Sequence, residues 1–199
     1  MSGVTSCSRN LVLLLACQAV TTLGLMVLVP ILPLYMATLT GIDTLGAARW
    51  SSLALAAPGL GTLCFAPLAG QWCDRFGYRR MLLVSLAVFI ASMLLMALST
   101  SVLSFMLGRL LQGMSTIGVV LTAFVGHASS DRSRGRSLGL QESAIACGAL
   151  VGPVLGGMML DQWSLKPLLI ASGLLTGMAG GVLWSQLTEP PKSVPDKNL

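Results

Sequence analysis

Two polar residues inside an apolar run have side chains suited to binding or charge chemistry. Arg109 and Gln112 stand three positions apart, which places them on one face of a helix. Counted from Val102, Arg109 lies seven residues into its run, a depth of roughly 10 Å at about 1.5 Å per residue. A charge at that depth normally faces the interior of a helix bundle or a water-filled cavity. The sequence therefore predicts that Arg109 and Gln112 are functional.

Glu142 is the acidic residue that lies inside an apolar run. It follows Arg136 by six residues, roughly 9 Å along a helix. In hydrocarbon, desolvation favours the protonated form of a carboxyl group, which would let Glu142 carry a proton. Nearer the lipid headgroups, Glu142 would instead pair with a loop arginine such as Arg136 or Arg79, and such exposed pairs are weak. Both interpretations stay open.

The other reactive residues form no catalytic or metal-binding set. The sequence has one histidine, His127, and its five cysteines form no Cys-x-x-Cys pair. A histidine without neighbouring ligands seldom holds a metal ion, and a free cysteine in an apolar run behaves as a small hydrophobic residue. Paired acids, His-Glu-x-x-His and Ser–His sets do not occur. We therefore predict no enzyme, no metal site and no cofactor.

Membrane-spanning helices must position these residues. The 199 residues are 54% apolar and 10% charged, with a mean hydropathy of +0.82, whereas a soluble domain carries about a quarter charged residues. A spanning helix needs roughly 20 apolar residues. The predicted spans are 11–36, 50–72, 81–98, 102–126, 136–160 and 165–187. We predict an all-α membrane protein with a tail at 1–10, a six-helix bundle at 11–187 and a second tail at 188–199.

The basic residues between the runs predict the orientation of the chain. With the first tail in the cytoplasm, inner segments hold nine of the twelve lysines and arginines, and outer loops hold two, Arg49 and Lys166. The nine are Arg9, Arg75, Arg79, Arg80, Arg132, Arg134, Arg136, Lys192 and Lys197. Because this bias sets orientation, both termini are predicted to be cytoplasmic. Binding to nucleic acid needs basic residues on one solvated surface, so the net charge of +5 does not predict it.

The segment after the second run, residues 70–80, combines glycines, one acid and several arginines in a defined order. It reads Gly70-Gln71-Trp72-Cys73-Asp74-Arg75-Phe76-Gly77-Tyr78-Arg79-Arg80. Gly77 permits a tight turn that other residues would strain, and Gly70 permits close packing of the helix end. Asp74 can meet a helix N-terminus or a guanidinium group. Membrane topology alone would explain the arginines but not this order.

Small residues recur every four positions in the fifth run. Gly148, Gly152 and Gly156 form one smooth helix face, which favours close contact with another helix. Gly157 follows directly, and Pro153 removes a backbone donor and can kink the span. The sequence therefore predicts a helix-packing surface here.

These patterns resemble the major facilitator superfamily. The 70–80 segment is similar to that family's signature loop between its second and third spans, written G-x-L-x-D-R-x-G-R/K-R/K. The residues that match are Asp74, Arg75, Gly77 and Arg79. Trp72 stands where Leu is usual and Tyr78 where a basic residue is usual, and Arg80 is expected to supply the missing basic contact. The resemblance implies that this segment governs a conformational switch.

Three further segments extend the resemblance over residues 10–187. Gly108-Arg109-Leu110-Leu111-Gln112-Gly113 looks like the fourth-helix motif of the family, with an arginine inside the membrane. Gly152-Pro153-x-x-Gly156-Gly157 resembles the fifth-helix motif associated with its antiporters. The close of the first run, Val29-Pro30-Ile31-Leu32-Pro33-Leu34-Tyr35, is similar to the first helix of its drug-efflux branch.

The resemblance implies one half of a transporter. Family members have two six-span halves around a central cavity, and each half contains two nested three-helix repeats. It implies export of a small molecule across a bacterial inner (plasma) membrane, driven by a proton gradient. The chain would then be part of a truncated or split transporter, would pair with a second six-span polypeptide, or would form a homodimer. The alternative is a membrane partner that only associates with other helices. Because alternating access needs two opposed bundles, we expect the chain to be inactive alone.

Overall fold

Helices form from all six apolar runs, and two of the predicted spans are each divided into two helices. The computed structural model describes residues 2–41, 43–129, 132–159 and 165–186. Over these residues it contains no strand, and the predicted all-α fold class is confirmed. The helices are α1 Ser2–Met26, α2 Leu32–Thr40, α3 Thr44–Phe76, α4 Tyr78–Ala97, α5 Val102–Met114, α6 Ile117–Ala128, α7 Arg134–Met159 and α8 Leu165–Gln186. The tail predicted at 188–199 lies outside the described residues.

Five stretches of the described chain are long and apolar enough to cross a bilayer. They are Leu45–Phe76, Tyr78–Ala97, Val102–Ala128, Arg134–Met159 and Leu165–Ser185, and they correspond to the second to sixth predicted spans. The first predicted span contains a shorter apolar helix, Asn10–Met26. Six crossings fit the structure when α1 and α2 together form the first. Because α1 begins at Ser2, helix covers most of the tail predicted at 1–10.

A turn at residues 27–31 divides the first predicted span. Pro30 lies in this turn, and Pro33 lies in the first turn of α2. Proline has no backbone N–H group, and its ring clashes with the carbonyl group four residues earlier, so the helix does not continue through this region. α2 ends at Gly41, which adopts a φ of 63°. The first predicted span, 11–36, is therefore built from two helices rather than one.

The fourth predicted span breaks between α5 and α6. Ser115 ends α5, and Thr116 precedes α6 with a φ of 47°, a conformation that β-branched residues rarely adopt. The freed backbone groups have local partners, because the Thr116 amide donates to the Gly113 carbonyl at 3.1 Å. The Ser115 hydroxyl donates to the Gln112 carbonyl at 2.6 Å. This break places polar groups in the middle of an otherwise apolar span.

Helix pairs remote in sequence build the bundle. α1 packs on α7 and α8, α3 packs on α5, and α4 packs on α5 and α8. The side chains of Phe89, Phe105 and Phe124 are fully buried at the centre. Of the five spanning stretches, those in α3 and α7 are the least buried. Both helices therefore keep a broad apolar face that lipid or another bundle can cover.

Candidate functional site

Arg109 is buried inside the bundle, with only 3% of its surface exposed. Its Nη1 donates a hydrogen bond to Gln112 Oε1 at 2.8 Å, and Gln112 Nε2 in turn points to Met93 Sδ at 3.6 Å. The guanidinium carbon lies 5.9 Å from the centre of the Phe105 ring. Among the described residues, Arg109 Nε and Nη2 have no hydrogen-bond partner. The two residues predicted to share a helix face therefore meet, and two donor groups of the cation remain unused.

A buried charge with unused donors is unfavourable for folding. Removing an ion from water costs several kcal/mol unless hydrogen bonds compensate for the lost hydration. Gln112 supplies one neutral acceptor within the described chain. An additional acceptor, such as water or an anionic group, would lower this penalty. Arg109 is therefore suited to binding such a group.

A cavity of about 170 Å³ lies at the break in the fourth span. Its polar lining comes from Gln112, Ser115, Thr116 and Thr62, and Phe89 contributes to its apolar wall. Water in the liquid occupies about 30 Å³ per molecule, so the cavity is large enough for a few waters. Gln112 borders the cavity and accepts a hydrogen bond from Arg109. One side chain therefore connects solvent in the cavity to Arg109.

Gly113 permits the close approach of α3 that forms one wall of this cavity. A Cβ atom at Gly113 would overlap the carbonyl group of Pro58 on α3. At Gly61, a Cβ atom would lie 2.5 Å from the Leu110 carbonyl oxygen. The Thr62 hydroxyl donates to the Gly113 carbonyl at 3.1 Å. The glycine pair therefore sets the distance between α3 and α5.

The glycines of the fifth span face α1. A Cβ atom at Gly148 would lie 2.7 Å from the Ala19 carbonyl oxygen, and one at Gly156 would overlap the Val27 carbonyl group. Gly152 is buried against Met26 in the same interface. This is the contact face that the four-residue spacing predicts.

Two glycines predicted to pack closely do not do so within the described chain. No described atom lies within 4 Å of a Cβ atom built at Gly157, and the same holds for Gly70. Gly157 is exposed because it is turned about 100° from Gly156 on the helix. Pro153 is half-buried at the edge of the α1 contact. The packing predicted for Gly157 and Gly70 therefore has no partner among the described residues and stays a prediction.

A buried amide bridge joins α1 to α7. Gln141 Nε2 donates to Gln18 Oε1 at 3.0 Å, and Gln18 Nε2 donates to Thr22 Oγ1 at 3.0 Å. The sequence does not predict this bridge, because both side chains are uncharged amides and only charged residues in the spans indicate a site. The available signal was that Gln141 shares a helical face with Gly148 and Gly152.

Glu142 follows Gln141 and lies on the exposed side of α7. Because Gln141 faces α1, the next residue is turned about 100° away from that contact. Glu142 is therefore remote from the α1 interface, and it borders the face of α7 that the bundle leaves uncovered. Arg79 and Arg136 are the loop arginines considered as partners of Glu142. Arg79 bonds to Trp184 instead, and the pairing of Glu142 with Arg136 stays a prediction.

Asp74 and Tyr78 form the polar contact of the 70–80 segment. The Tyr78 hydroxyl donates to Asp74 Oδ1 at 3.0 Å. The Tyr78 ring stacks on His127 and Phe124 of α6, with ring centres 4.7 and 5.7 Å apart. Gly77 joins α3 to α4 with a φ of 90°, as the predicted tight turn requires.

The arginines of the 70–80 segment point in different directions. Arg79 Nη2 donates to the Trp184 carbonyl at 2.6 Å, and its guanidinium lies 4.2 Å from the Trp184 ring centre, so the segment is joined to the end of α8. Arg75 lies against the ring of Phe76, at 5.5 Å. Arg80 is exposed and lines an outer groove with Phe76. Tyr78, rather than Arg80, therefore supplies the contact to Asp74.

Divided spans, a buried arginine beside a cavity and glycine-packed helix pairs define a multi-pass membrane bundle of the secondary-transporter type. The human organic anion transporter MFSD10 (TETRAN) has this fold, with a TM-score of 0.78 and 21% identity over 92% of this chain and 48% of that chain. The POT family transporter PepTSo matches with a TM-score of 0.76 and 19% identity, over 94% and 40%. The Major Facilitator Superfamily model matches residues 14–198, and the chain belongs to that family.

Curated bacterial relatives agree with this assignment. The staphyloferrin B transporter of Staphylococcus aureus is 35% identical, over 88% of this chain and 43% of that protein. Multidrug resistance protein 2 of Bacillus subtilis is 30% identical, over 82% and 40%. The class E tetracycline resistance protein of Escherichia coli is 28% identical, over 86% and 42%. The chain therefore spans less than half the length of these relatives. The predicted family is confirmed, and the chain is a transporter-family protein rather than an enzyme.

Proposed function

We propose that the chain forms the first six-span bundle of a proton-driven exporter of small molecules. The observation that carries this proposal is Arg109, a buried cation with two donors that have no partner among the described residues, next to a cavity at the break of the fourth span. A charge is kept in such a place when it serves binding or coupling. The names of the multidrug and tetracycline resistance relatives favour a drug-like substrate.

A second bundle would complete the transport path. Alternating access arises when one bundle rocks against another around a central site. The uncovered faces of α3 and α7 offer the surface for that contact. Glu142 borders this surface and would be the proton-carrying residue, while Arg109 and Gln112 would bind substrate or water from the other side of the bundle.

The test is efflux from cells that express this chain with and without a second six-span bundle from the same family. We expect efflux at background level from this chain alone and proton-dependent efflux from the pair. A gradient uncoupler should abolish the efflux of the pair. Equal efflux from the purified chain alone would indicate an active homodimer. Absence of efflux from every pairing would favour a bundle that only associates with other helices.

Orientation in the inner membrane belongs to the same proposal. Because lysine and arginine are concentrated in the inner segments, Cys7 is expected to react only with a reagent on the cytoplasmic side. A cysteine introduced at Asp43, in a chain without the other cysteines, should react only from outside. The measurement is labelling of intact cells and of inverted vesicles with an impermeant maleimide. The reverse pattern would contradict both the orientation and the placement of the 70–80 segment.

A further inference from the structure

The contact between Tyr78 and Asp74 joins the start of α4 to the end of α3, and the Tyr78 ring extends this contact to α6, which is remote in sequence. Asp74 lies in the last turn of α3, and Tyr78 is the first residue of α4. The hydrogen bond from the Tyr78 hydroxyl to a carboxylate oxygen, at 3.0 Å, is charge-assisted. Asp74 is exposed, so without a fixed donor its carboxylate would sample several rotamers in solvent.

Aromatic stacking fixes that donor. The Tyr78 ring is tilted by 20° from the plane of His127 and by 25° from that of Phe124. Phe124 is fully buried, and His127 is half-buried one turn later on α6. Offset stacking of such rings contributes about 0.5–1.5 kcal/mol beyond their buried area. The hydroxyl group of Tyr78 is therefore held at a position that α6 determines.

α6 is the part of the fourth span that follows the break at Thr116. Polar groups that line the cavity lie at this break. The contact of α6 with Tyr78 lies about three turns further along α6. Any tilt of α6 about Thr116 must move Phe124 and His127, and with them the ring that holds Asp74.

We propose that Tyr78 is a positioning residue, which holds the Asp74 carboxylate and couples it to the tilt of α6. The inference rests on the proposed transport function. It assigns a role to the position at which this chain departs from the family pattern, where a basic residue is usual. A tyrosine transmits position through a stack and one hydrogen bond, whereas a basic side chain would also place a positive charge beside the carboxylate.

A double-mutant cycle in the two-bundle protein tests this role. Tyr78→Phe keeps the stack and removes the hydrogen bond, and we expect about a tenfold fall in maximal transport rate with an unchanged KM. Asp74→Asn should give a larger fall. Because Tyr78 acts through Asp74, Tyr78→Phe should cause no further fall in the Asp74→Asn background. Independent, multiplicative losses, or normal transport by Tyr78→Phe, would overturn the proposal.

Hydrogen exchange in this chain alone gives a readout that does not need transport. Tyr78→Phe and Asp74→Asn should raise amide exchange over residues 75–80 by the same factor, and the double variant should exchange no faster. Tyr35→Phe is the matched control, because it removes a hydroxyl that lies 3.3 Å from Ser99 Oγ at another place in the fold. Unequal or independent effects would overturn the role of Tyr78. Absence of transport by the unaltered two-bundle protein would instead contradict the proposed function.

Discussion

Replacing Gly156 with leucine is expected to prevent stable folding of the bundle, whereas the same change at Gly157 leaves it folded. A Cβ atom at Gly156 would overlap the Val27 carbonyl group, which belongs to the backbone and cannot rotate away. Overpacking in a tight contact costs about 1–3 kcal/mol, and a clash with backbone exceeds that range. Gly157 is exposed, and no described atom lies within 4 Å of its Cβ position.

Size-exclusion chromatography and thermal unfolding in detergent measure this effect. Gly156→Leu should elute as aggregate or unfold at a much lower temperature, and Gly157→Leu should match the unaltered chain. Gly152→Ala provides an intermediate case, because it adds a single methyl group, whose carbon would lie 2.6 Å from Met26 Cβ. If both leucine variants were equally stable, the α1–α7 contact at Gly156 would be contradicted.

Glycine spacing predicted this interface because a packed helix face repeats every three to four residues. The same rule shows why the adjacent Gly157 does not share the α1 contact, since neighbouring residues lie about 100° apart. Sequence proximity to a motif says little about which face a residue occupies. The contact of α7 with α1 decides that question, and the residues of α1 lie more than 100 positions away in the chain.

The two helix breaks differ in how far the sequence indicates them. Pro30 and Pro33 mark the first break, although both lie within one long apolar run. The second, at Ser115 and Thr116, has no proline. The close contact of Gly113 with Pro58 lies beside this break, and it is a tertiary interaction that no local pattern reports.

Helical spacing indicates which polar residues share a face, and it does not indicate polar contacts between residues remote in sequence. The spacing of Arg109 and Gln112 predicted that they share a helix face, and their hydrogen bond lies on that face. The Gln18–Gln141 bridge joins residues 123 positions apart, so periodicity cannot reveal it. For Tyr78, the family pattern indicated only a missing charge, whereas the stack on α6 depends on the packing of α4 against α6.

Replacing Arg109 with methionine is expected to abolish transport and at the same time to stabilise the bundle. Arg109 is buried, and two of its donor groups have no partner among the described residues. Replacing buried ionic groups with apolar side chains of similar volume often stabilises a protein, by about 1–4 kcal/mol. Gln112 would lose one donor, but it borders the cavity, where water can replace that hydrogen bond.

Two measurements separate the functional role of the charge from its structural effect. Thermal unfolding of this chain in detergent should shift to a higher temperature in Arg109→Met, and efflux by the two-bundle protein should fall to background. Arg109→Lys keeps the charge but not the planar set of donors, so it should retain only part of the efflux. Arg49→Met is the matched control at an exposed position and should change neither quantity.

Normal efflux by Arg109→Met would show that the buried charge is not used in transport. Marked destabilisation would show that the charge is compensated in the folded bundle, because removing one member of a satisfied buried pair is costly.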